Sequence, residues 1–97
     1  MAILVDPAIW PWRERLWCHM VSDDHLDELH EFADNLGIPP RGFQGDHYDI
    51  PEEMRVRAID LGARSVTSRE IVLALYAAGL RPPRVGLLAS PRVMSAD

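Results

Sequence analysis

A chain of 97 residues that is 47% hydrophobic and 26% charged has the make-up of one globular domain with one core, too rich in apolar residues for disorder. Its net charge of −5 argues against duplex nucleic acid as a partner, and its single cysteine, Cys18, excludes an intrachain disulfide and fits a reducing compartment. No apolar run nears the roughly 20 residues of a membrane span and no basic-then-apolar leader opens the chain, so no membrane association and a cytoplasmic location are expected.

Taken in chain order, residues 2–5 are apolar and β-leaning and stop at Asp6-Pro7, a buried first strand with Asp6 at its carboxyl end. Residues 7–13 carry two prolines and two tryptophans and read as an irregular loop, either a lid or an apolar cluster over a core edge. Residues 15–22 form the second strand. Period-2 alternation puts Trp17, His19 and Val21 on one face and Leu16, Cys18 and Met20 on the other, with Cys18 a small buried hydrophobe. A helix follows from residue 23 or 24 to 36, capped by Ser22 or an Asp, with acids in its first turn and Gly37 as its C′ residue. Leu26, Leu29, Phe32, Ala33 and Leu36 make its apolar stripe, and His30 lies at the stripe's margin.

Ile38-Pro39-Pro40-Arg41 breaks that helix and leads into residues 42–51, where Gln44, Asp46, His47, Tyr48 and Asp49 crowd between glycines and apolar anchors. The middle of this stretch reads as a short strand or a strand-like loop. Pro51 then opens a second helix running to Leu61 ahead of Gly62, and Asp49 with Glu52 has the spacing of a capping box. Residues 63–66 are a brief strand. Thr67-Ser68-Arg69-Glu70 repeats the capping-box spacing before a third helix, which turns Ile71, Val72, Leu75 and Ala78 inward and ends at Gly79. The expected architecture is a single α/β domain over residues 1–80, in the order β-β-α-β-α-β-α, with a partly parallel sheet and helices packed on it. Residues 81–97 read as a Pro/Arg linker and a loosely attached tail, in which residues 85–88 can dock as an edge strand or meet a partner.

Charge is uneven along the chain. Residues 1–50 hold ten acids against three arginines, and residues 51–97 hold five acids against seven. The basic side chains are all arginine, which fits either forked contacts with phosphate or carboxylate or a plain effect of base composition.

Several separated motifs, in order, resemble a family of small bacterial and phage proteins called domain of unknown function 4031. They are Val5-Asp6, Leu16-Trp17-Cys18-His19, Asp27-Glu28-Leu29-His30 with Phe32-Ala33, Phe43-Gln44, His47-Tyr48-Asp49, Arg55 with Ala58, Gly62-Ala63 and Ser68-Arg69-Glu70. The resemblance spans roughly residues 3–75 and implies no activity. Gly42 departs from it, standing where the family carries a larger, often aromatic residue before Phe-Gln.

The chemistry-bearing set is His47, Asp49, His19 and Asp6 as catalytic candidates, with Gln44, Tyr48, Arg55 and His30 as ligand-binding candidates. Imidazole and carboxylate donors suit a divalent metal, although no spacing within one helix turn enforces a metal site. Without metal, His47 or His19 can act as general acid or base, oriented by Asp49 or Asp6. Arg55 can hold a phosphate or carboxylate beside helix amides. Structural roles compete for the same residues: Asp49 as a helix cap, His19 as a hydrogen-bonded strand histidine, His30 as a helix-margin residue. No P-loop, GxGxxG or serine-nucleophile signature is present. Two functions follow as expectations. One is a hydrolase or binder of a phosphorylated or nucleotide-like ligand, its site near the loops after Val5, Val21 and Phe43. The other is a non-enzymatic module that self-associates as a homodimer, or docks on a partner, through the tryptophan loop and the tail.

Overall fold

The structure, a computed structural model, describes residues 2–82. Its elements are β1 (Ile3–Val5), β2 (Trp10–Trp12), β3 (Arg15–Ser22), α1 (Leu26–Leu36), β4 (Tyr48–Pro51), α2 (Glu52–Asp60), β5 (Arg64–Ser65) and α3 (Ser68–Ala77), with one 3₁₀ turn at Pro40–Gly42. The fold is mixed α/β, a five-stranded sheet with three helices, and it is partly parallel because β1 pairs with β5 in parallel while the other pairings are antiparallel.

The element order has one strand more than the sequence suggested. Trp10–Trp12, expected as loop, pairs antiparallel with the start of β3. The hairpin closes at Arg13 and Glu14, both in the left-handed region with φ of 51° and 63°. That is the backbone of a two-residue hairpin turn, which sequences usually announce with Asn or Gly. Here the announcement is missing, and Pro11 discourages a strand except at a sheet edge.

β3 organises the sheet. Trp17 pairs with both Trp10 and Pro51, and Met20 pairs with both Val5 and Tyr48. A residue has only two edges, so β1 and β2 run along one edge of β3 and β4 along the other. Between β1 and β2 the ladder is interrupted at residues 6–9, and Asp6 stands in that gap.

Both faces of the sheet are used, but unequally. Ile3, Val5, Cys18, Met20, Tyr48 and Ile50 point to one side, where they pack with Leu29, Ala33 and Leu36 of α1 and Ala58 of α2. Leu4 and Val21 point to the other side, where Ile71 and Leu75 of α3 cover them. Farther along that second face, Trp17, His19 and Asp49 are only partly buried. Burial also decides Cys18, whose thiol is pushed up to about 12 and so is no nucleophile at neutral pH.

Helix ends refine the expectations. α1 starts at Leu26, with His25 as its N-cap through Nδ1, which accepts from the Asp27 amide; Ser22 instead bonds Glu28 and the Asp24 amide. Gly37, at φ 82°, closes α1 in the left-handed conformation that glycine adopts without strain. α2 has Pro51 as N-cap with no side-chain cap bond, so Asp49 does not cap it. α3 carries the reciprocal Thr67 and Glu70 capping box, as read from the sequence. Among the described residues no helix is long and apolar enough to cross a membrane. The suggested docking of residues 85–88 and the rest of the tail lie outside the described residues.

Candidate functional site

Strand register brings the first two groups together. His19 of β3 and Asp49 of β4 are cross-strand partners, so their side chains rise from the same face as neighbours. The site therefore draws on the middle of β3 rather than on the loop after Val21. Asp6, in the gap between β1 and β2, is 1% exposed and supplies what the broken ladder lacks. Its Oδ1 accepts from the His19 amide at 2.7 Å, and its Oδ2 lies 2.8 Å from His19 Nδ1 and accepts from the Ser68 hydroxyl at 2.7 Å.

Those contacts shift two titrations. Burial alone would raise the Asp6 carboxyl, but hydrogen bonds from the His19 side chain and amide and from Ser68 outweigh it and hold it below the usual range. Conversely, the hydrogen bond to Asp6 raises His19 above its ordinary value, against the opposing pull of burial.

His47 reaches the same spot from the loop that enters β4. Its Nδ1 sits 2.7 Å from Asp46 Oδ1, and Asp46 is clamped in turn by Arg81, with Nε at 2.7 Å from Oδ2 and the second donor at 3.0 Å from Oδ1. The Arg81 fork, helped by His47, keeps the Asp46 carboxyl low. The two imidazoles meet edge to face with centroids 5.2 Å apart. Each turns Nε2 toward Asp49 Oδ1, at 3.2 Å for His47 and 4.0 Å for His19. That oxygen is shielded from solvent and, among the described residues, accepts no aligned hydrogen bond. The three donor atoms lie within 4.8 Å of one another.

The other candidates go elsewhere. Tyr48 follows the alternation of β4 to the opposite face, is 2% exposed, and places its hydroxyl 2.7 Å from His30 Nδ1. His30 also packs edge-on against Phe43, which makes it part of the helix-side packing and not of the centre. Arg55 donates Nε to the Asp6 carbonyl at 2.7 Å and its fork to Ser65 at 2.8 Å, tying the end of β1 to β5. Two of its donors are thus engaged in bracing the sheet, a role that the sequence reading did not give it.

Gln44 does face open space. A cleft of about 650 Å³ runs from the tryptophan hairpin to the loop after α1, with Trp10, Trp12, Trp17, Arg41 and Gln44 in its lining. Asp49 is in its wall as well, so the cleft touches the His/Asp centre through that residue. Trp10 stacks on Trp17 with centroids 6.2 Å apart and lies 5.7 Å from the His19 ring, continuing an aromatic surface up to the imidazole.

Over residues 3–78 the chain matches the family model described as Protein of unknown function (DUF4031). The chain belongs to that family. The matched span includes every residue of the centre except Arg81, which falls just past it. No curated protein and no solved structure matches the chain.

Three contributors escaped the sequence reading: Asp46, Ser68 and Arg81. Asp46 adjoins His47, so an acid beside a candidate imidazole was a usable signal. Ser68 and Arg81 act across separations of 62 and 35 residues, for which local pattern gives no warning. Arg81, read as linker, is docked on the domain.

Proposed function

We propose that this family member binds a phosphorylated, nucleotide-like small molecule in the tryptophan-lined cleft and hydrolyses it at the His19, His47 and Asp49 centre. The observation that carries this is the double position of Asp49, which faces both imidazoles and also walls the cleft. A flat ring suits the indole surfaces, Gln44 offers an amide that can donate and accept, and Arg41 brings a positive fork to the cleft. In the hydrolytic step the oxygen of a water forms a bond to phosphorus as the bond to the leaving oxygen breaks; the water's proton leaves to the centre and the leaving oxygen is protonated. The pairings of Asp6 with His19 and of Asp46 with His47 would keep the rings oriented for that work.

The test is a thermal-shift screen of nucleotides and sugar phosphates, followed by phosphate release with any ligand that binds. A ligand at 100 times its Kd stabilises the fold by about 2.7 kcal/mol, a readily measured shift. The shift should vanish in Trp12→Ala, and phosphate release should vanish in Asp49→Asn. A second reading has its own support, since Ile9, Trp12 and Leu16 are 69%, 52% and 40% exposed on or beside the β2–β3 hairpin. Absence of any ligand shift, together with a dimer in sedimentation that Trp12→Ala dissolves, would favour self-association through that hairpin.

A further inference from the structure

We infer that His19, His47 and Asp49 bind one divalent transition-metal cation, of the zinc or manganese class, through His19 Nε2, His47 Nε2 and Asp49 Oδ1. Both Nδ1 atoms lie against carboxylates, at 2.8 Å from Asp6 and 2.7 Å from Asp46, and a carboxylate can only accept, so each Nδ1 holds a proton. In the neutral ring Nε2 is then a bare lone pair. Two such lone pairs face the one Asp49 oxygen that no aligned hydrogen bond satisfies. With both rings neutral, three acceptors turned on one another repel unless a cation lies between them.

The surroundings strengthen the need. Asp6, Asp46 and Asp49 bring three carboxylates, and the cation clamped to Asp46 is Arg81. Arg15 and Arg41 line the cleft beyond, but the three carboxylates sit at the centre itself. Tetrahedral zinc with bonds of 2.0–2.2 Å sets its donors about 3.3 Å apart. The 3.2 Å separation of His47 and Asp49 already fits, and His19 Nε2, 4.0 Å from Asp49 and within 4.8 Å of the other donors, is the half-buried group that has to close. Carboxylates on the far nitrogens are the outer-shell arrangement that orients histidine ligands and makes them better donors. Three protein donors would leave positions for water or substrate, and a cation there lowers the pKa of bound water. The inference deepens the proposed hydrolytic reading but is measured without substrate, so either can fail alone.

The experiment titrates the metal-stripped full chain with zinc chloride, and separately with manganese and magnesium chloride, by calorimetry at pH 7.5. One zinc ion per chain is expected, with manganese weaker and magnesium weakest, since imidazole suits the softer ions. Asp46→Asn should weaken zinc binding by about 10–100-fold, and Asp49→Asn and His47→Gln by more. In parallel, imidazole nitrogen spectra should show zinc moving Nε2 of His19 and His47 while His25 and His30 stay in place. No zinc binding below millimolar concentration, binding that survives both Asp49→Asn and His47→Gln, or shifts confined to His25 and His30 would each overturn the assignment. Thermal unfolding of each variant separates loss of the site from loss of the fold.

Discussion

The two faces of β4 differ: one builds the core and the other carries the proposed centre. Tyr48 and Ile50 point into the helix-covered side, where Ile50 is 0% exposed and every neighbour is apolar or hydrogen-bonded. Asp49, between them, points the other way, to a face that α3 covers only around Leu4 and Val21. On the closed face each group is satisfied. On the open face an acceptor is shielded from water and left without a hydrogen bond, which folding alone does not reward. The contrast separates a scaffold from a site, because proteins hold unfavourable arrangements where function uses them.

Substitutions can break or sharpen that contrast, beginning with the greatest loss. Ile50→Ala should destabilise the fold by about 2–5 kcal/mol, read by denaturant unfolding, because the cavity sits in the closed layer. Asp6→Ala comes next, at about 3 kcal/mol, since it strips the acceptor from the His19 amide and the Ser68 hydroxyl in a buried setting. Thr67→Ala should cost about 1 kcal/mol by removing the capping box of α3, with no effect on the centre. Asp49→Asn should stay within about 0.5 kcal/mol of wild type, or gain, while removing the proposed zinc binding.

The Asp6 and His19 pair also carries a pH signature in the metal-free protein. The Asp6 carboxyl is lowered from 3.8 on folding, so its contribution is present above that value and lost as pH falls through the lowered one. His19 is raised from 6.5, so its contribution is full below that value and lost as pH rises through the raised one. The pair should therefore stabilise most between about pH 4 and 6.5, and Asp6→Asn should flatten both limbs of a stability profile taken with a chelator present.

Much of this contrast was legible in the residues. Alternation along β3 placed His19 with Trp17 and Val21 and opposite Cys18 and Met20, as the structure has it. The helices announced themselves through Gly37, the Thr67 to Glu70 box and the apolar stripe of α1. The polar stretch around His47 drew notice because its side chains had little structural excuse, and the structure brings His47 and Asp49 of that stretch beside His19. What stayed hidden depended on pairing across the fold. Nothing local says that Trp10–Trp12 is a strand, because its turn uses Arg13 and Glu14 at positive φ. Alternation sets Tyr48 opposite Asp49 once residues 48–51 are known to be strand, but nothing local places His30 behind the sheet instead of beside His47. That division required knowing that β4 pairs with β3 in the register that sets Asp49 opposite His19. Nor did anything local show that Arg55 braces the end of β1 against β5.

The most direct measurement is thermal unfolding of wild type and Asp49→Asn, each with and without zinc. The account predicts that the two proteins melt together in chelator and that zinc raises the melting temperature of wild type alone. If Asp49→Asn were as damaged as Ile50→Ala in chelator, or gained the same protection from zinc as wild type, then Asp49 would be part of the scaffold and the open face would hold no such centre.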